Sequence, residues 1–255
     1  MRNVIIPLNA FDRGEVLKNG QASFVEHIAQ AGAYGVEIRR ELLPEEKNRQ
    51  LDQIRQEIAR FGLFTVYSAP IECWKADHHL NIEELINVFQ EGKTLGATWL
   101  KVSLGHFHKE LSNIAELGHF LKQQQGIQLL VENDQTLYGG NIQNMKSFFE
   151  SAVEQDVLVK MTFDAGNWYY SSQEVEEALN LLAPYVDYLH LKQVEKAADK
   201  LVTVPLEKGR NHSWEKVFKH FPAELMKALE FPIEPKERAK DYLQFIQELA
   251  AEVLA

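Results

Sequence analysis

Glu132, Asp164, His190 and Glu230 each close a separate apolar run in the second half of the chain. They stand in Leu129-Leu130-Val131-Glu132-Asn133, Met161-Thr162-Phe163-Asp164, Tyr188-Leu189-His190-Leu191-Lys192 and Ala228-Leu229-Glu230-Phe231-Pro232. Three carboxylates and one imidazole form a donor set suited to a divalent cation such as Mn, Mg, Co or Zn. Each falls where a short buried strand would give way to a loop, the place where an α/β barrel builds its active site. Taken singly, each has an ordinary explanation. Glu132 and Glu230 are then solvated loop acids, Asp164 opens a turn into Ala165-Gly166, and His190 is a hydrogen-bonded core residue. Their common position is what gives the set weight.

Elements of the right kind recur along the whole chain. Candidate strands lie at Val4–Leu8, Val36–Ile38, Phe64–Tyr67, Leu100–Leu104, Leu129–Glu132, Val159–Asp164, Val186–Leu191 and Ala228–Phe231. Their spacing of roughly 30 residues is that of a βα unit. Between them the apolar period becomes helical: Leu51, Ile54, Ile58 and Phe61 share a face, as do Ile82, Leu85, Ile86 and Phe89. Tyr242, Phe245, Ile246, Leu249 and Val253 repeat the pattern near the C-terminus. No linker or low-complexity tract divides residues 1–255, so the expected architecture is α/β, a single (β/α)8 TIM barrel. A doubly wound open sheet is the alternative, because periodicity does not give strand order. Gln193 to His220 departs from the repeat and reads as a long loop before the last strand.

Side chains alternate across a strand, so residues two apart share a face. Leu129 and Val131, Met161 and Phe163, Leu189 and Leu191, and Leu229 and Phe231 suit the face that packs on helices. The opposite parity carries all four candidate ligands. The same reasoning turns Glu37 and Arg39 inward between Val36 and Ile38, and Lys101 and Ser103 inward among Leu100, Val102 and Leu104.

Bulk properties narrow the class. A formal charge of −10 argues against a large nucleic-acid footprint, which needs clustered Lys and Arg. No apolar run approaches the ~20 residues that span a bilayer, and Met1-Arg2-Asn3-Val4-Ile5-Ile6-Pro7 reads as a first strand. Cys73 is the only cysteine, which rules out an internal disulfide and leads us to expect a cytoplasmic protein. Neither membrane nor nucleic acid is an expected partner; a homo-oligomer is compatible with the sequence.

The order Glu, Asp, His, Glu on strands five to eight resembles the xylose isomerase-like TIM-barrel superfamily of sugar phosphate isomerases and epimerases. Phe163-Asp164-Ala165-Gly166-Asn167, His190-Leu191-Lys192, the second-strand segment Val36-Glu37-Ile38-Arg39, and Val204-Pro205-Leu206-Glu207-Lys208-Gly209 with Trp214 also resemble that family. The resemblance implies a divalent metal held by Glu132, Asp164, His190 and Glu230, with Glu132 and Glu230 also exchanging protons with substrate. Glu37, Arg39, Tyr67, His106, Asn167, Lys192, Arg210 and His212 are the expected substrate-binding residues. Arg39, Lys101, Lys192 and Arg210 could each meet a phosphate or pair with a carboxylate, and Tyr67, Trp168 and Trp214 could stack on a sugar or simply pack.

The implied activity is isomerisation or epimerisation of a small sugar, sugar phosphate or polyol ketone through a metal-stabilised enediolate. Dehydration of a keto-inositol is a variant that begins with the same proton abstraction. An endonuclease IV-like phosphodiesterase would need more histidine ligands, for which His78, His79, His106 and His108 are the available residues. A non-catalytic sugar-binding barrel would be expected to lose a ligand, and none is lost. Asn167 departs from members acting on free ketoses, which often carry His near that position.

Overall fold

The structure, a computed structural model, describes residues 3–45, 47–208 and 212–254. Eight parallel strands close into a barrel: β1 (Val4–Pro7), β2 (Gly35–Arg39), β3 (Phe64–Trp74), β4 (Trp99–Gly105), β5 (Gln128–Glu132), β6 (Val159–Asp164), β7 (Val186–Leu191) and, after the hairpin strands β8 (Gln193–Ala197) and β9 (Lys200–Val204), β10 (Met226–Leu229). Each barrel strand lies beside the next in chain order, and β10 closes the ring between β7 and β1. The architecture is the single α/β TIM barrel expected, not an open sheet.

Local chemistry explains the alternation. Asn141 caps the helix Ile142–Glu154 by accepting from the Asn144 N–H, which satisfies a donor that the helix itself leaves unpaired. Gly96, left-handed at φ 76°, ends the helix Ile82–Leu95 and turns the chain into β4. The amphipathic faces pack as expected for Leu51, Ile54 and Ile58 and for Tyr242, Ile246 and Leu249, all buried. One face needs correction. Ile86 is 49% exposed, and the inward stripe of its helix is Leu85, Val88, Phe89, Gly92 and Leu95. The side chain of Val253 lies outside the described residues.

Strand parity holds around the barrel. Val36, Ile38, Leu129, Val131, Met161, Phe163, Leu189 and Leu191 belong to the outer core between sheet and helices. A separate small cluster, Ile5, Val66, Leu130, Tyr188 and Ala228, fills the lumen, with half-buried Phe64, Trp99 and Met226 packed against it. The lumen is therefore apolar in its lower part, and the ionisable residues stand above that plug toward the strand C-termini.

The segment expected as a loop between Gln193 and His220 is partly ordered. Its first part is the antiparallel hairpin β8–β9, turning at left-handed Ala198 (φ 55°), and its last part is the helix Ser213–His220. Val194, Val202 and Val204 favour a strand, and Trp214, Val217 and Phe218 recur at helical spacing. Both signals are short enough to hide between longer elements. β3 also runs beyond Tyr67 to Trp74, with its register on β4 shifting between Ser68 and Glu72. Pro70, which has no N–H to give a ladder, lies within that irregularity. Among the described residues, no helix is long and apolar enough to cross a membrane.

β2 and β3 approach so closely at Gly35 that an added Cβ would lie 2.5 Å from the Phe64 carbonyl oxygen. Gly35→Ala should therefore force the strands apart and destabilise the barrel by about 1–3 kcal/mol. Urea unfolding should show a lower midpoint with an unchanged slope; a wild-type midpoint would contradict the contact.

Candidate metal centre

The ionisable residues gather at the C-terminal end of the barrel. Glu37 and Arg39 come from β2, Lys101 from β4, Glu132 and Asp164 from the last positions of β5 and β6, and His190 from β7. Lys192 follows β7 directly, and Glu230 follows β10, where its N–H donates to the Leu191 carbonyl at 3.0 Å. One donor atom from each of Glu132, Asp164, His190 and Glu230 lies within 4.8 Å of every other. It is the one such group of His, Cys, Asp or Glu among the described residues.

His190 organises the set. Its Nδ1 stands 3.0 Å from Glu230 Oε2, 3.1 Å from Glu132 Oε1 and 3.9 Å from Asp164 Oδ2. Its Nε2 lies 3.0 Å from Glu37 Oε2, which also accepts from the Tyr188 hydroxyl at 2.9 Å. Three cations thread between the acids. Lys101 donates to both oxygens of Glu132 at 2.8 Å and lies 3.3 Å from Glu37. Arg39 bridges Glu37 at 2.8 Å and Glu230 at 3.1 Å, and its Nε meets Glu41 at 2.8 Å. Lys192 Nζ lies 2.6 Å from Asp164 Oδ2 and donates to Glu230 Oε2 at 2.9 Å.

Asp164 is held chiefly by backbone. Its Oδ1 accepts from the Gly166 and Asn167 N–H groups at 2.8 and 2.9 Å, while Asn133 exchanges two hydrogen bonds with its main chain. Its buried Oδ2 is met by the Lys192 ammonium alone, in an ion pair not aligned as a hydrogen bond. That oxygen, beside two further carboxylates and an imidazole nitrogen, belongs to a donor set that fits a divalent cation.

The electrostatics follow from burial opposed by charge. Burial pushes the Glu37 carboxyl up, but Lys101, His190 and Arg39 together hold it well below its usual range. Burial likewise works against ionised Glu132 and Glu230. Lys101 and His190 bring Glu132 down, and Lys192, His190 and Lys101 bring Glu230 far down. Asp164 goes the other way, raised to about 7, because burial and the acids Glu230 and Glu132 outweigh Lys192. Burial and Lys101 lower the His190 pKa, yet Glu37, Glu230 and Glu132 lift it well above its ordinary value. The surrounding acids thus favour the protonated ring, and a metal at Nδ1 would require that nitrogen to be free of its proton.

A cleft of about 380 Å³ opens above the group, lined by Asn9, Arg39, Glu132, Gln135, Asp164, Asn167, Lys192, Thr203, Glu230, Phe231 and Pro232. That volume suits a small molecule. Grooves of about 430 and 570 Å³ elsewhere on the surface bring together no such donor set.

The expected substrate residues divide. Arg39, Asn167 and Lys192 line the cleft, with Asn167 accepting from Gln135 at 3.1 Å. Glu37 does not: it is fully buried beneath His190 and serves to hold that ring, Lys101 and Arg39. Tyr67 does not either. Val66 takes the lumen face, so Tyr67 points outward and its hydroxyl donates to Glu91 at 2.6 Å. His106 sits on the rim above β4, its ring 4.0 Å from that of Tyr138 and its Nε2 3.7 Å from Glu72, outside the cleft lining. His212 precedes the helix Ser213–His220 and is also outside the lining; Arg210 lies outside the described residues. Trp168 and Trp214 are buried packing residues, against Phe163 and Phe245. His78 and His108 pair with each other on the rim, rings 5.3 Å apart, away from the metal-type group.

Sequence reading did not pick out Asn9, Glu41, Gln135 and Thr203. Asn9 had a usable signal, since it follows β1 as Glu230 follows β10, and its Nδ2 donates to Glu230 at 3.0 Å. Thr203 had none, because it enters from the hairpin, braced by the Tyr170 hydroxyl at 3.3 Å.

No model of a known protein family matches this sequence, and no curated protein matches it. Solved structures do match in shape over nearly the full length of both chains. A xylose isomerase domain containing protein from Salmonella typhimurium superposes with a TM-score of 0.72 at 12% identity, covering 98% of this chain and 97% of that one. An L-ribulose 3-epimerase gives 0.68 at 13%, covering 100% and 98%. Endonuclease IV from Thermus thermophilus gives 0.65 at 18%, covering 98% and 99%. At these identities the likeness is one of fold: the chain shares the TIM-barrel fold of these structures.

Proposed function

We propose that this protein is a divalent-metal-dependent isomerase or epimerase of a small sugar or polyol ketone. The observation that carries the reading is the placement of Glu132 and Glu230. Both line the cleft, both approach one His190 nitrogen, and both belong to the single metal-type donor group among the described residues. The L-ribulose 3-epimerase of the same fold supports the choice of reaction. Glu132, Asp164, His190 and Glu230 would hold the cation, which when bound supplies Lewis-acid polarisation of a substrate carbonyl.

The chain's own residues account for the rest. Lys101 favours the ionised form of Glu132, and Lys192, His190 and Lys101 favour that of Glu230, so each can accept a proton from the carbon beside the carbonyl or return one to it. Glu37 fixes the His190 ring through Nε2 and leaves Nδ1 facing the three carboxylates. Asn9, Gln135, Asn167 and Thr203 offer amide and hydroxyl groups at the cleft, the neutral partners a polyol requires.

The decisive experiment is solvent-deuterium exchange into a panel of ketoses, with Mn, Mg, Co or Zn added to metal-stripped protein. Wild type should incorporate deuterium at the carbon next to the carbonyl only with metal. Glu132→Gln and Glu230→Gln should each lose about 10²–10⁴-fold in rate while remaining folded. Product analysis separates isomerised or epimerised sugar from a dehydrated one. Absence of exchange with every metal and sugar would sink the proposal.

A second prediction concerns Glu37. Its folded pKa lies below the ordinary 4.5, so the native state binds fewer protons than the unfolded state in acid. The resulting stabilisation is present above 4.5 and is lost as pH falls below that value. Glu37→Gln leaves buried Arg39 and Lys101 short of an anion and should cost about 3–5 kcal/mol near neutral pH. The deficit should narrow in acid. Equal wild-type and variant curves from pH 7 to pH 3, by urea unfolding of metal-free protein, would contradict this role.

A further inference from the structure

Lys192 has an unusually well-prepared seat. Its stem lies across the backbone of Gly166, where an added Cβ would meet Lys192 Cγ, Cε and Cδ at 2.6, 2.7 and 2.8 Å. Gly166 has φ −83°, a value open to any residue, so it is the space and not the conformation that glycine supplies here. The stem is thereby directed at the metal-type group. Its ammonium ends 2.6 Å from Asp164 Oδ2 and 2.9 Å from Glu230 Oε2, oxygens belonging to two of the four ligands. Lys101 and Arg39 engage the group differently: each is also tied to Glu37, below the cleft, whereas among the described residues the Lys192 ammonium pairs with Asp164 and Glu230.

We propose that Lys192 is a resident counter-cation for the metal site, holding Asp164 and Glu230 together in the metal-free protein and giving them up when a divalent ion arrives. This inference rests on the reading of Glu132, Asp164, His190 and Glu230 as a metal site. The physical ground is simple. Carboxylates packed this closely with little solvent around them repel one another, and a cation between them relieves the repulsion. A divalent ion at the same oxygens repels the ammonium in turn. The lysine, mounted at the cleft wall, then moves off Asp164 and Glu230 with its charge turned toward the substrate space. Lys192 is on this account a specificity-setting competitor: only an ion that binds the four ligands strongly enough to displace it occupies the site.

The test measures metal affinity and not turnover. After chelator treatment, wild type, Lys192→Met and Gly166→Ala are titrated with Mn²⁺ by calorimetry, and Tm is recorded with and without the ion. Lys192→Met should lower the metal-free Tm, tighten Mn²⁺ binding by about tenfold and enlarge the Tm rise on adding metal. Gly166→Ala, which displaces the stem but keeps the charge, should shift the Mn²⁺ Kd in the same direction by less. If wild type binds Mn²⁺ and Lys192→Met binds it equally or more weakly, Lys192 is not a competitor and this inference alone fails. If Mn²⁺, Co²⁺, Zn²⁺ and Mg²⁺ all fail to bind wild type and both variants, the inference and the proposed metal-dependent function fail together.

Discussion

Four carboxylates converge above the apolar plug at the C-terminal end of the barrel, and charge compensation between neighbouring strands is what lets them stay there. Arg39 straddles Glu37 and Glu230, Lys101 straddles Glu132 and Glu37, and Lys192 straddles Asp164 and Glu230. Each cation therefore ties two acids that come from different strands. An isolated buried charge would be pushed to its neutral form, and of the four only Asp164 moves that way, with a pKa raised to about 7. The closed barrel makes the arrangement possible, because it brings the ends of β2, β4, β5, β6, β7 and β10 around one small space.

The division of the lumen follows from the same constraint. Below His190 the interior is Tyr188, Ala228, Leu130, Val66 and Ile5, which pack together and exclude water. Tyr188 links the two zones: its ring packs in the apolar plug and its hydroxyl supports Glu37. Excluding water in this way strengthens every ionic contact above the plug and makes its geometry harder to disturb. Stability and chemistry thus meet at Glu37, a residue that never faces the cleft.

That Glu132, Asp164, His190 and Glu230 share one orientation was legible in the sequence because strand parity is a short-range property. Glu132, Asp164, His190 and Glu230 each alternate with residues that pack on helices, and strands of four to six residues keep that alternation. The same logic places Glu37 and Arg39 inward, although which of them would meet substrate depends on depth in the barrel, and parity carries no depth. Tyr67 sits in a stretch where Phe64, Val66 and Tyr67 are all apolar or aromatic, so neither face declares itself. Trp168 and Trp214 carry the same chemistry whether they stack on a ligand or fill a core. The pairing of Lys101 with Glu132 joins residues 31 apart through strand register, which local pattern does not contain.

The hairpin β8–β9 forms its own two-stranded sheet and contributes no rung to the barrel. It leaves β7 immediately after Lys192, exposes Glu195 to Leu201 to solvent, and returns Thr203 to the cleft. The residues that would hold the cation and those that would judge the shape of a ligand are thus borne by separable pieces of architecture. Because the arm shares no ladder with the barrel, the cleft wall at Thr203 is free to vary in length and sequence independently of the donor residues beneath it.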